Sequence, residues 1–261
     1  ENPIGTAPGW WVAHKGRYII AMPGVPVEMR RMWQEQAIPR LLQLPRGGVI
    51  VSRTLKVLGI GESAVEEQLG ELVRSVNPTV ATYAKNDGIH VRIAARARDA
   101  AHAAGDIEAM ERSVRALFGA QIYGVDDESL TSATARLLES RGLTVAIGEA
   151  GSGGAVCAAL AGPTFAGAVV NPPLAAYLDA AATESAAVEL ARQSRDRVNA
   201  NVGLALVVSP QSDANVRLSA AVVVGSTQVT RTEDQSIDPS DLGRRAQLLS
   251  IQVLRDTLLE V

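Results

Sequence analysis

The chain is short of cysteine, aromatics and lysine, and each shortage excludes something. One cysteine in 261 residues, Cys157, cannot make an intrachain disulfide. It sits in "GAVCAALA" and reads as a core thiol of a reducing, cytoplasmic setting. Aromatics make up 3%, so the cores must be built from Ala, Val, Leu and Ile. The three histidines, His14, His90 and His102, are scattered without metal-ligand spacing; they read as structural or surface residues, and no metal site is assigned. No stretch approaches a membrane span and no signal-peptide pattern is present, so no membrane association is expected. A formal net charge of −3 gives no electrostatic case for nucleic acid or an anionic membrane as partner.

What is present is ordinary for a soluble α/β protein: 47% hydrophobic and 20% charged residues, in a length that suits two or three domains. The chain opens on Glu1 and runs straight into the turn-rich "ENPIGTAPGWW", so part of a larger protein is expected upstream.

Three segments follow. Residues 1–48 read as a Gly/Pro loop, a strand ("RYIIAM"), the loop "PGVP" and an amphipathic helix ("VEMRRMWQEQAIPRLL"), too small alone to hold a core. Residues 49–126 alternate strand, helix, strand, strand, helix, strand, with Asp87-Gly88 marking a hairpin. That is a small α+β, KH-like arrangement, but "GIGES" has the wrong spacing for an RNA-clamping G-x-x-G and "VEEQLGE" beside it is acidic. Its expected role is a spacer or dimerisation element. Residues 127–261 read as a mixed-sheet α/β sandwich with helices on both faces, opening on a helix that Ser129 can cap and Gly142 can end.

Two loops could carry chemistry. "NPIGTAPG" and its companion "MPGVPVEM" combine glycines that admit close backbone approach with prolines that fix loop shape, and could cradle a phosphate or pyrophosphate. In "TVAIGEAGSGGAVC", Ser152 follows a strand in a glycine-rich turn near a helix start, where a hydroxyl and neighbouring amides could serve acyl chemistry. The alternative is that Ser152 is simply an N-cap. A serine nucleophile needs a base within hydrogen-bond reach. Residues 127–261 contain neither histidine nor lysine, which leaves Glu149 and Tyr177 as substitutes.

"NPIGTAPG", "MPGVPVEM", "SRTLKVLGIGESAVEEQL", "TVATYAK", "IYG" and "GLTVAIGEAGSGG" stand in the order seen in the CinA (competence/damage-inducible) family, and the chain resembles that family throughout. The resemblance implies three parts. Residues 1–48 would be the end of a MoaB/MogA-like nucleotide domain linked to metal-dependent ADP-ribose pyrophosphatase activity. Residues 49–126 would be a KH-like domain. Residues 127–261 would be an amidohydrolase-like domain of the kind that converts nicotinamide mononucleotide to nicotinic acid mononucleotide. It also implies a cytoplasmic homodimer acting on a small nucleotide, with a divalent metal in the complete first domain and none assignable in this chain.

By the same resemblance, Asn2, Gly5 and Thr6 fit one nucleotide-binding loop, and Pro23, Gly24, Pro26 and Glu28 fit the second. The family's AESCTGG-type loop is here "GEAGSGG": Glu149 matches, Ser152 takes the nucleophile position, and Gly153 and Gly154 match as nucleotide-binding glycines. The supporting tyrosine and lysine are replaced by Asn171 and Ala176. A phosphate-approaching GIAGP-type loop corresponds to "VSPQSD", and Arg244 and Arg245 keep an arginine pair that otherwise reads as a solvated helix face. The resemblance therefore implies a degenerate deamidase in which Ser152 and Glu149 are vestigial.

Overall fold

The computed structural model describes residues 1–44, 47–171, 178–212, 215–236 and 238–261. The chain divides into two compact units, Glu1–Ile50 with Arg96–Ala103, and Val51–Ala95 with Ala104–Val261.

In the first unit, β1 (Trp10–His14) and β2 (Arg17–Ala21) form an antiparallel pair with Val12 opposite Ile19. Residues 10–14, expected to be loop, are therefore a strand. Lys15 and Gly16 both adopt positive φ (47° and 73°), the mirror-type turn that matches strand twist. A lysine where Asn or Asp usually stands hides that signal. On one face Trp11 meets Tyr18 at 5.7 Å between ring centres, and the Arg40 guanidinium lies 5.6 Å above the Trp11 ring.

The expected continuous helix is in three pieces: α1 (Pro26–Met32), a wider π turn (Trp33–Ala37) and α2 (Ile38–Leu42). Pro39 has no N–H for the carbonyl four residues back, and its ring crowds that turn; the π turn absorbs the fault. Among the described residues of 1–50 only Met32 and Ala37 are buried apolar side chains, while Trp10 and Ile19 are 67% and 68% exposed.

The second unit contains two sheets. The first, in the order β4-β5-β3-β6, comprises β3 (Val49–Val57), β4 (Thr79–Lys85), β5 (Gly88–Ala97) and β6 (Ile122–Val125), with α3 (Glu62–Leu69) and α4 (Ala100–Phe118) between its strands. This is the strand–helix–strand–strand–helix–strand order read from the sequence. On β5, Ile89, Val91, Ile93 and Ala95 are buried alternately. The expected helix over 62–76 stops at Leu69, because Gly70 takes φ +51°, and a 3-10 turn (Gly70–Arg74) completes it.

The other sheet runs β11-β10-β9-β7-β8. Its strands are β7 (Val145–Ala150), β8 (Phe165–Asn171), β9 (Val202–Pro210), β10 (Asn215–Val224) and β11 (Thr227–Ser236), joined with α5 (Leu130–Ser140), α6 (Ala155–Leu160), α7 (Ala180–Val198) and α8 (Leu242–Glu260). Strand β7 is parallel to both β8 and β9, whereas β9, β10 and β11 are antiparallel neighbours. Ser129 caps α5 in a reciprocal exchange with Ser132, and Gly142 (φ +63°) closes it.

Helices cover both faces, as the apolar pattern predicts. Ile147, Leu204, Leu206 and Leu218 pack with Leu138 of α5, Val156 of α6 and Leu254 of α8. On the opposite face Ala205, Val207 and Ala221 pack under Ala187 and Ala191 of α7. A Cβ on Gly148 would lie 2.5 Å from the Leu190 Cγ, and one on Gly203 would collide with the Ala191 carbonyl. The α7 backbone thus rests directly on the strands. No helix among the described residues is long and apolar enough to cross a membrane.

Candidate functional site

Strand β7 lies at the switch point of its sheet. The chain leaves it through α6 toward β8 on one side, then returns through α7 to β9 on the other, with the two helices on opposite faces. Such a reversal leaves a crevice at the carboxyl ends of the strands, where ligands of open α/β sheets bind. The crevice is edged by the Gly151–Gly154 loop, by Asn171 at the end of β8, and by Ser209 near the end of β9.

Period-two alternation places Glu149 on the same face as Val145 and Ile147, beneath α6, and it is fully buried. Its two carboxylate oxygens have separate tasks. Oε2 accepts the Ser152 hydroxyl at 2.5 Å, and Oε1 accepts the Cys157 backbone N–H at 2.5 Å. The carboxylate therefore ties the loop to the second residue pair of α6 from below. Gly151 supports this path at φ +90°, with Val208 so close that a Cβ would lie 2.9 Å from it. Ser152 is not an N-cap: Gly154 holds that position in a left-handed conformation without a side-chain cap, and the serine hydroxyl is engaged by Glu149 instead.

Burial, and secondarily the Glu149 carboxylate, push the Cys157 thiol up to about 12. At neutral pH this favours the protonated thiol over the thiolate. Asn171 pairs in register with Ala150 and is exposed. Ala176 and Tyr177, the other residues at issue around the missing base, lie outside the described residues. Ser209 is buried; its hydroxyl accepts the Leu178 N–H at 2.9 Å, and Gln211 Nε2 donates to the Leu178 carbonyl at 3.0 Å. These two residues of "VSPQSD" anchor the entry to α7. Sequence reasoning did not single them out, although a serine at the end of a buried strand is a visible signal.

The arginine pair is committed elsewhere. Arg244 makes a two-pronged contact with Asp241 at 2.7 and 2.5 Å, and Arg245 reaches the same carboxylate at 3.7 Å. Neither bonds to Ser152 or Glu149; they do not complete the loop chemically.

In the first unit, Asn2 Nδ2 donates to Glu28 at 2.7 Å and to the Ala7 carbonyl at 2.9 Å, while Asn2 Oδ1 accepts the Ile4 N–H at 3.2 Å. Gly5 faces the Glu28 carboxylate so closely that any Cβ would overlap it. Asn2, Gly5 and Glu28 are thus brought together, with Thr6 in the same bend. Pro23 and Gly24 form the lead-in to α1, and Pro26 fills its first turn. A half-buried carboxylate at the centre of this loop repels a phosphate that arrives without a countercation. Among the described residues no three Asp, Glu, His or Cys side chains converge as a metal requires. The divalent metal implied for a complete first domain thus has no fitting ligand set among the described residues.

Residues 52–124 match the family described as "Damage-inducible protein CinA KH domain". A CinA-like protein of Thermomicrobium roseum is 43% identical over 272 residues, covering 99% of this chain and 66% of its own length. One from Deinococcus deserti is 38% identical over 271 residues, covering 98% of this chain and 66% of its own. A CinA superfamily protein of Klebsiella pneumoniae superposes with a TM-score of 0.43 at 19% identity, over 51% of this chain and 97% of that one. The chain spans just under two thirds of the length of the curated relatives it matches. With relatives 43% and 38% identical along nearly its whole length, the chain belongs to the CinA-like proteins.

Proposed function

We propose that this chain handles a small nucleotide, ADP-ribose or a pyridine nucleotide, and that its Ser152 loop retains the shape of an amide-hydrolysing site while having lost most of its rate. Pyrophosphate hydrolysis would belong to a complete first domain, of which residues 1–48 resemble the final part. A cytoplasmic homodimer is the expected setting. The observation that carries the reading is the inventory around Ser152: a hydroxyl, a buried carboxylate and glycine amides, in a segment (127–261) without any lysine or histidine. Loss of a positioned base commonly costs several orders of magnitude in rate. The test is incubation with nicotinamide mononucleotide, and separately with ADP-ribose plus a divalent cation, with products separated by chromatography. The expected result is nucleotide binding by calorimetry with ammonia release at background. Rapid ammonia release abolished by Ser152→Ala would overturn the loss of rate.

One observation favours a second reading. The Ser152 hydroxyl already points its proton at Glu149 across 2.5 Å, the geometry of a nucleophile and its base. In that case Glu149→Gln, which keeps the side-chain shape, abolishes turnover as completely as Ser152→Ala. Equal background in all three proteins removes this reading.

A further inference from the structure

Helix α8 touches both the start of α6, directly after the Ser152 loop, and the four-stranded sheet. Gln247 Nε2 donates to the carbonyl of Ala155, the first residue of α6, at 2.9 Å. Gln247 thus ties that first turn to α8 through a carbonyl and does not cap it, since the groups left open at a helix start are N–H donors. Three residues earlier on α8, and so beside it on the helix surface, Arg244 donates Nη1 to the Asn86 carbonyl at 3.3 Å. Asp241 grips the other two guanidinium nitrogens, so this arginine cannot swing without breaking a charged pair.

Asn86 and Asp87 form the tip of the β4–β5 hairpin. The tip is itself well held: Asp87 accepts from the Tyr123 hydroxyl at 2.8 Å and meets His90 at 2.9 Å and Lys56 at 3.6 Å. Further along α8, the buried Arg255 donates Nη2 to the carbonyls of Ala120 and Ile122 at 2.7 and 3.0 Å. The helix is fastened to the sheet at two points, and from between them Gln247 holds the first turn of α6, which follows the Ser152 loop. Asn86, Asp87, Arg244, Gln247 and Leu248 border a cleft of about 170 Å³, close to the size of an engineered cavity of ~150 Å³ that admits benzene.

We infer that α8 is a brace through which the β4–β5 hairpin tip sets the position of the Ser152 loop, with Gln247 as the positioning residue and the cleft as the place where a small molecule would perturb it. The inference rests on the Ser152 loop being the functional site proposed above, but its test does not use nucleotide turnover. Backbone amide signals of Gly151, Ser152 and Gly153, and their hydrogen exchange, are followed in the whole chain. Gln247→Met keeps the length of the side chain and removes the donor; the loop signals shift, and exchange accelerates about fivefold, the worth of one net hydrogen bond. Arg244→Met moves the same loop signals although it touches only Asp241 and the hairpin. Arg244→Lys, which can still donate to the Asn86 carbonyl, restores them in part. Leu248→Trp, which fills the cleft without removing either bond, shifts the loop signals too.

Loop signals that stay put in both Arg244→Met and Leu248→Trp, while those of Asn86 and Asp87 move, would overturn the brace. Loop signals that respond in a chain inert toward every nucleotide would sink the nucleotide reading and leave the brace standing.

Discussion

Two loops of this chain fold around a glutamate, and they differ in how completely they do it. In the first unit the Asn2–Ala7 bend closes over Glu28 at a half-buried surface, held by the amide of one asparagine. In the second unit the Gly151–Gly154 turn closes over Glu149, which is fully buried and shares its oxygens between a serine hydroxyl and a helix amide. The motif is similar, a glycine against a carboxylate, yet only one of the two sits on a finished core. A loop becomes a fixed site when the layer beneath it excludes water; glycine content alone does not do that.

The comparison can be broken most directly at the glutamates. Glu149→Ala leaves a half-buried serine hydroxyl and a half-buried helix amide without partners over a fully buried void, and is expected to cost about 3 kcal/mol in urea unfolding. Glu28→Ala is expected to cost about 1 kcal/mol, because water can replace the carboxylate there. Equal losses would mean that burial does not separate the two loops.

Smaller effects come next, at the glycines. Gly151→Ala combines a positive φ with the Val208 side chain behind it, and about 2 kcal/mol of destabilisation is expected. Gly5→Ala meets only the far end of the flexible Glu28 side chain and should cost about 1 kcal/mol or less. Thermal unfolding of both variants ranks them.

The smallest effect is the most specific to Glu149. Burial first, and then the carboxylate, raise the Cys157 thiol to about 12, so the native state holds its proton more tightly than the unfolded chain does. That contribution to stability is complete below the ordinary thiol range and is lost as pH climbs toward the folded value. Iodoacetamide should therefore label Cys157 slowly at pH 8, and Glu149→Gln should speed labelling several-fold while burial still restrains it. Unchanged labelling would show that the carboxylate has no electrical hold on its own loop.

Much of this was legible in the residues. The order of strands and helices in 49–125, the Ser129 cap and the two covered faces of the larger sheet all follow from periodicity and turn chemistry. The burial of Glu149 could also have been read, since it falls two and four residues after Ile147 and Val145 on a single face. Lys15 concealed a hairpin because lysine seldom takes positive φ. The grip of Arg244 and Arg255 on α8 was beyond reach, since their partners are backbone carbonyls 158, 135 and 133 residues away and a carbonyl carries no signature in sequence. Ser152 itself was ambiguous: a hydroxyl three residues from a carboxylate fits a cap, a tie or a nucleophile, and the path through Gly151 and the left-handed Gly154 removes only the cap.

Two methyl groups are missing beneath α7, at Gly148 and Gly203. Gly148 and Gly203 set how near α7 lies to β7 and β9, and α7 begins at one wall of the switch-point crevice. The height of that crevice is accordingly gauged by hydrogen atoms in the floor of the molecule, on residues that have no side chain to offer a ligand. A lineage in search of a roomier crevice need not redesign a loop; one added carbon under the helix would jack the roof, and the cost would be read in melting temperature before it was read in chemistry.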